Sequence, residues 1–407
     1  MADYQIEGTC LSHVGKLESP NKELRVIRWI VVIMASSSAL GQTLRFAPED
    51  TLLGAEQVIL PSTKCDDVFL VEATIDGQGP FTLMVDTGAG ITVLDVGVVA
   101  ALQTGRAASI HGHGAADEVV EIRQTVPIES MSIGGFEVRG LDAAAFDLSG
   151  LRAGIGDQLD GVLGFPTFAG TTLTIDWPKN EIRVSSAPID DDCALVDVSR
   201  PGDWRPVVMI ECGDELRPFA IDSGANDYLQ VRADWGAPVT AGPLVTSASI
   251  TIGAVTLSDS VRLGVDMDLC GVTFESPVAS MTTMDEGIVG AKLLRYFAAS
   301  FDQRAGLVQL ERGAETPDFI RVQGPWDLGF IPAPDDGRAV IAMVREGSAA
   351  EGVLKVGDEI VSINGMAASE FRCARIRATI SPPTFTVVVR RDGEQVEVVL
   401  PVARALA

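Results

Sequence analysis

The 407-residue chain is poor in the residues that many catalytic centres use. It has only three histidines, His13, His111 and His113, and no HExxH, CxxC or P-loop spacing, so zinc hydrolysis, metal fingers and nucleotide chemistry lack their usual carriers. A GxSxG elbow is also missing, and His111 and His113 sit together in one Gly-rich segment, which disfavours a serine or cysteine hydrolase. Cations are scarce: 31 Lys+Arg against 56 Asp+Glu leave a formal charge of −25, a poor basis for gripping nucleic acid or anionic lipid. No apolar run reaches the roughly 18 residues a spanning helix needs. Against these absences, 46% hydrophobic and 21% charged residues describe a soluble, folded chain, long enough for two to four domains at roughly 100–200 residues each.

Residues 1–41 read as a leader. Arg25 and Arg28 flank a short apolar centre, Trp29 to Met34, and small residues precede Gly41, as in an export signal with the mature chain starting near Gln42. The polar stretch Met1 to Lys22 is unusual ahead of a signal, and a start near Leu24 or Val26 would explain it. Export implies a periplasmic or secreted protein without an integral span; retention of the segment implies a cytoplasmic one. The cysteines at 10, 65, 193, 212, 270 and 373 show no close spacing, so no disulfide pairing is readable and buried apolar thiols explain them equally well.

An internal repeat organises the middle of the chain. Residues 67–90 form two strand-like runs joined by an Asp-Gly turn and ending in Asp86-Thr87-Gly88; residues 205–226 repeat the pattern and end in Asp222-Ser223-Gly224, 136 residues later. Three further pairs follow in the same order. Ser132-Ile133-Gly134 matches Thr251-Ile252-Gly253, Asp160-Gly161-Val162-Leu163-Gly164 matches Glu286-Gly287-Ile288-Val289-Gly290, and the run Leu173 to Asp176 matches Ala299 to Asp302. Two copies of one antiparallel, mostly β lobe are expected, spanning 55–190 and 191–313. Asp190 to Asp192 are expected to be a solvated stretch between them.

Copy one carries about 17 more residues than copy two between its Asp motif and the Gly134/Gly253 pair. The surplus includes His111-Gly112-His113-Gly114 followed by alternating residues, which predicts a β-hairpin flap over a cleft. Its histidines are expected to be solvated turn residues.

Beyond Glu311 the pattern changes. The run Leu354-Lys355-Val356-Gly357-Asp358-Glu359-Ile360, with Asn364-Gly365 after it and Asp327-Leu328-Gly329-Phe330 before it, closely resembles a PDZ domain over residues 320–404. Residues 311–324 read as the linker. The resemblance implies that Leu328, Gly329 and Phe330 present backbone amides to the C-terminal carboxylate of a bound peptide.

The paired Asp-Thr/Ser-Gly motifs, each preceded by an apolar strand and followed at similar distance by two apolar residues and Gly, resemble the pepsin-like and retroviral aspartic peptidases over residues 60–311. The fold so implied is mainly β: a bilobal pepsin-like (acid protease) β-barrel plus a C-terminal PDZ-like domain. Asp86 and Asp222 are the implied catalytic pair, with Thr87, Gly88, Ser223 and Gly224 as dyad support. Two like charges in one dry site cannot both stay ionised, so the pair keeps one proton and does acid and base work together without metal or cofactor. The chain departs from pepsin in its flap, because Tyr4, Tyr228 and Tyr296 are the only tyrosines and none follows Asp86 closely.

The function these residues imply is endopeptidase action on unfolded or extended polypeptide. One chain supplies both lobes, so a monomer suffices for catalysis, and the PDZ domain recruits substrate or partner C-termini. The alternative is a catalytically silent protein that binds peptides through its PDZ domain.

Overall fold

Two copies of a short sequence pattern become two strand-rich lobes that meet at their own counterparts. In this computed structural model, the described residues are 44–113, 119–156, 158–189, 195–196, 205–236, 241–250, 255–324, 326–335, 338–371, 373, 380, 383–404 and 406. The leader 1–41, Gly114 and Asp190 to Asp192 lie outside them. The chain is mainly β, and among the described residues no helix is long and apolar enough to cross a membrane.

The first lobe is a nine-stranded sheet among the described residues. Its inner strands Val68–Ile75 and Gln78–Asp86 pair antiparallel, with Leu83, Met84 and Val85 buried. Such continuous apolar runs mark strands covered on both faces, whereas Glu181–Ser185 alternates and sends only Ile182 and Val184 inward. The second lobe, a ten-stranded sheet among the described residues, repeats the arrangement with Val207–Cys212 and Glu215–Asp222.

The expectation of purely antiparallel lobes needs correction at the aspartates. Leu159–Gly164 runs parallel to Gln78–Asp86, placing Gly164 beside Asp86, and Gly287–Gly290 runs parallel to Glu215–Asp222, placing Gly290 beside Asp222. The reason is topological: each apolar-apolar-Gly strand returns from a long excursion rather than from a hairpin, so it inserts alongside in the same direction. Both glycines are required by packing, since a Cβ on Gly164 would lie 2.4 Å from the Ile91 carbonyl carbon and one on Gly290 2.4 Å from the Asp227 carbonyl oxygen.

A third sheet joins the lobes. Thr172–Asp176 pairs antiparallel with Phe297–Asp302 so that Thr174 lies opposite Ser300, its own counterpart in the repeat, with hydroxyl oxygens 2.8 Å apart. A strand paired with its copy around one residue fixes a local twofold axis there.

The stretch read as a linker is not free. Phe319–Ile320 adds in parallel to Val272–Phe274, and Ile320 and Val322 are buried in the core of the second lobe. After it, Phe330–Asp335, Arg338–Val344, Glu359–Ile363, Met366–Ala367, Thr384–Arg391 and Glu394–Pro401 form a separate six-stranded sheet with its own core around Ile341, Ile363, Phe385 and Val387.

Candidate active site

Each motif aspartate stands at the end of a buried strand, where the chain turns back under it. Asp86 Oδ1 accepts the backbone N–H groups of Gly88 and Ala89 at 2.8 and 3.1 Å, and Asp222 Oδ1 accepts those of Gly224 and Ala225, both at 2.9 Å. The carboxyl is thereby fixed by its own turn and cannot rotate away. The strand pairings from Gly164 and Gly290 hold the same turns from the side.

The residues after the aspartates lock the two lobes together. Thr87 N–H donates to Ser223 Oγ and Ser223 N–H donates to Thr87 Oγ1, each at 3.0 Å. The hydroxyls pass their own protons onward, Thr87 to the Ile221 carbonyl at 2.6 Å and Ser223 to the Val85 carbonyl at 2.9 Å. Both side chains are almost wholly buried, so every one of these polar groups depends on the others.

Gly88 and Gly224 then let the opposite carboxyl approach. A Cβ on Gly88 would sit 2.2 Å from Asp222 Oδ2, and one on Gly224 would sit 2.3 Å from Asp86 Cγ. The two carboxyls consequently face each other closely enough to hydrogen-bond directly. Asp86, Thr87, Gly88, Asp222, Ser223 and Gly224 are thus all brought to one point on the twofold.

The pair is not symmetric in its proton. Burial pushes Asp86 well above the usual carboxylate range, and the charge of Asp222 and the hydrogen bond between them push the same way. Burial also raises Asp222, but the Ala225 amide, the bond from Asp86, the Gly224 amide and the Arg205 guanidinium oppose it. Two such carboxyls facing each other retain a proton as a pair, with Asp86 the more strongly raised of the two.

A single sequence difference accounts for Arg205. In the first lobe Asp160 Oδ2 accepts the Thr82 N–H at 2.9 Å. The corresponding residue in the second lobe is Pro218, which has no N–H, and the corresponding acid is Glu286, which pairs instead with Arg205. Arg205 thereby stands at the second-lobe acid, where the first-lobe Asp160 has the Arg152 guanidinium at 3.9 Å. Comparing the two repeats at Thr82 and Pro218 is the signal that could have revealed it.

The flap hairpin forms: Arg106–His113 pairs antiparallel with Val119–Ile133, setting His111, Gly112 and His113 opposite Glu121, Val120 and Val119. Gly114 lies outside the described residues. No group of three His, Cys, Asp or Glu side chains suited to a metal occurs among the described residues.

The PDZ-like loop is more occupied than its sequence implies. Gly329 adopts φ +75°, its N–H donates to Asp327 Oδ1 at 3.0 Å, and its carbonyl accepts Arg345 N–H at 2.9 Å and Ser348 Oγ at 3.0 Å. Asp327 is in turn paired with Arg345. The Gly329 amide therefore already carries a carboxylate, that of its own chain; Leu328 and Phe330 flank it, with Phe330 packed into the core.

One covalent feature was invisible in the sequence. Cys65 and Cys373 form a disulfide across 308 residues, tying the first lobe to the PDZ-like part, while Cys212 is buried in the second lobe. No spacing rule reaches over so long a separation.

Residues 71–167 match the aspartyl protease family, and residues 308–390 match the PDZ domain family. The chain therefore carries a retropepsin-like aspartyl protease domain and a C-terminal PDZ domain. The protease match includes Asp86 and ends before Asp222, whose place rests on the repeat and on the geometry above. No curated protein matches the chain.

Proposed function

We propose that the chain is an aspartic endopeptidase in which Asp86 and Asp222 activate one water between them. The observation that carries this reading is the facing pair of carboxyls, each held by its own turn and each lying under the opposite motif glycine. Ionised Asp222 takes a proton from the water as its oxygen attacks the scissile carbonyl carbon. Asp86 donates its proton to the carbonyl oxygen, giving a neutral tetrahedral diol. Asp222 then returns a proton to the departing amide nitrogen as the C–N bond breaks, and Asp86 recovers one from a diol hydroxyl as the carboxyl product forms. Each positioned transfer contributes typically about 10²- to 10⁴-fold.

The domain limits 55–190, 191–313 and 320–404 belong to this reading, with catalysis by a monomer and a peptide strand lying between the lobes under the His111–Gly114 flap. The PDZ domain recruits polypeptide C-termini, whose carboxylate must share or displace Asp327 at Gly329. An exported, periplasmic or secreted setting fits the 25–41 segment, and the Cys65–Cys373 bond is of a kind that persists in oxidising compartments.

The test is cleavage of an unfolded protein such as casein by the purified chain, compared with Asp86→Asn and Asp222→Asn. Cleavage lost in both variants supports the dyad; undiminished cleavage in either rejects it.

A further inference from the structure

The disulfide ends beside the second catalytic loop. Cys65 closes the Ser62–Cys65 strand, and the next residue, Asp66, turns the backbone through φ +56°. Its carboxylate accepts the Asn226 side-chain N–H at 3.0 Å, a contact between residues 160 apart. Asn226 follows Asp222 by four positions and belongs to the loop that underlies it. Ala225 gives its N–H to Asp222 Oδ1 and takes the Ala291 N–H on its carbonyl at 2.8 Å. The Asn226 carbonyl accepts the ammonium of Lys292, a buried residue. From Cys373 to the Asp222 loop the path is one S–S bond, one residue and one hydrogen bond.

Among the described residues the Asp86 loop has no counterpart of the Asn226 side-chain bond. The position corresponding to Asn226 in the first repeat is Gly90, which has no side chain to offer.

We propose that Asp66 and Asn226 are positioning residues for the Asp222 loop and that the Cys65–Cys373 bond fixes them, so that the thiol–disulfide state of this joint sets the order of the catalytic loop. The proposal rests on the role given to Asp222 above. Cys65 is 2% exposed and Cys373 is partly exposed, so attack is assigned to the Cys373 side of the bond. A dithiol reductant attacks there as thiolate, the Cys65 sulfur leaves with the bonding pair and is protonated, and the second thiol of the reductant closes on the mixed disulfide. The products are two protein thiols and one cyclic disulfide, with two electrons and two protons supplied by the dithiol.

Hydrogen exchange of the full-length chain tests this without relying on catalysis. The amides of residues 222–228 are followed in the oxidised chain, after dithiothreitol, in Cys373→Ser, and in Asp66→Ala with its disulfide verified by thiol titration. Expected is exchange faster by about tenfold or more in all three perturbed states, with protection in Val68–Ile75 retained. Casein cleavage should fall mainly in kcat, with KM little changed. Unchanged protection of 222–228 after reduction overturns the proposal. If loss of the bond also loosens Val68–Ile75, Asp66→Ala decides, and unchanged protection there overturns it. Loosening of the loop in a chain that never cleaves casein even when oxidised upholds the strap and rejects the peptidase reading.

Discussion

Thr87 and Ser223 exchange hydrogen bonds across the two lobes, each backbone N–H donating to the other's hydroxyl oxygen at 3.0 Å. The exchange places both following glycines under the opposite carboxyls, so an interface interaction between lobes also sets the distance between two acids. Stability and catalysis are joined at this point.

Thr87→Val keeps the shape and removes the hydroxyl. Ser223 N–H then has no acceptor in a site from which water is excluded, a loss of about 1–3 kcal/mol. Urea titration should show that decrease, with Thr87→Ser restoring most of it. A variant as stable as wild type would contradict the role of the exchange.

Gly88→Ala and Gly224→Ala should fold and lose activity. Each added methyl would meet the facing carboxyl at 2.2–2.3 Å, and the lobes must separate or the acids must turn to relieve it. Expected is a fall in kcat of at least about 10², the scale of one misplaced catalytic group. Near-wild-type turnover would mean that the carboxyls do not meet as described.

The dyad also sets two pH dependences. Activity should be bell-shaped: the acid limb appears when the pair takes up a second proton, and the basic limb, when the pair loses its shared proton, should lie above the ordinary carboxylate range because both carboxyls are raised, Asp86 the more strongly. For stability the sign follows from proton binding. Carboxyls raised in the folded state favour folding fully below the ordinary carboxylate value, and that contribution is lost as pH rises through their folded values. Asp358 in the PDZ domain behaves oppositely: hydrogen bonding from Arg391 holds it low, so its contribution is present at neutral pH and lost as pH falls through the depressed value. Acid titration followed by domain-resolved exchange should show the PDZ sheet loosening before the dyad loops. The reverse order would contradict both assignments.

Asp327→Ala should strengthen the binding of peptides with a free C-terminal carboxylate. The substitution removes a negative charge and releases both the Gly329 amide and Arg345. Calorimetric titration should show affinity rising by about threefold to tenfold, as for the loss of one exposed like-charge contact. Weaker binding would mean that Asp327 holds the loop in its binding-competent form.

The legible parts of the fold are those written twice. Asp86 and Asp222, with the Gly164 and Gly290 strands, follow from matching the repeats, because their local chemistry is the same in both copies. The asymmetry was harder to read: Arg205 pairs with Glu286, a contact between residues distant in sequence. Burial of Ile320 and Val322 depends on an open sheet edge at Val272–Phe274, which the Pro317 and Gly324 punctuation of the segment conceals. Likewise the parallel pairing at the aspartates is a property of topology and not of strand composition. The 308-residue span of the disulfide has no local trace at all.

The shared proton is tested most directly by measuring casein cleavage from about pH 3 to about pH 7, spanning the carboxylate range, for the wild-type chain beside Asp86→Asn and Asp222→Asn. Wild type should cleave with a bell-shaped profile, and each variant should fall by about 10³-fold or more at every pH. Cleavage by either variant at a rate near that of wild type would contradict a dyad formed by residues 86 and 222.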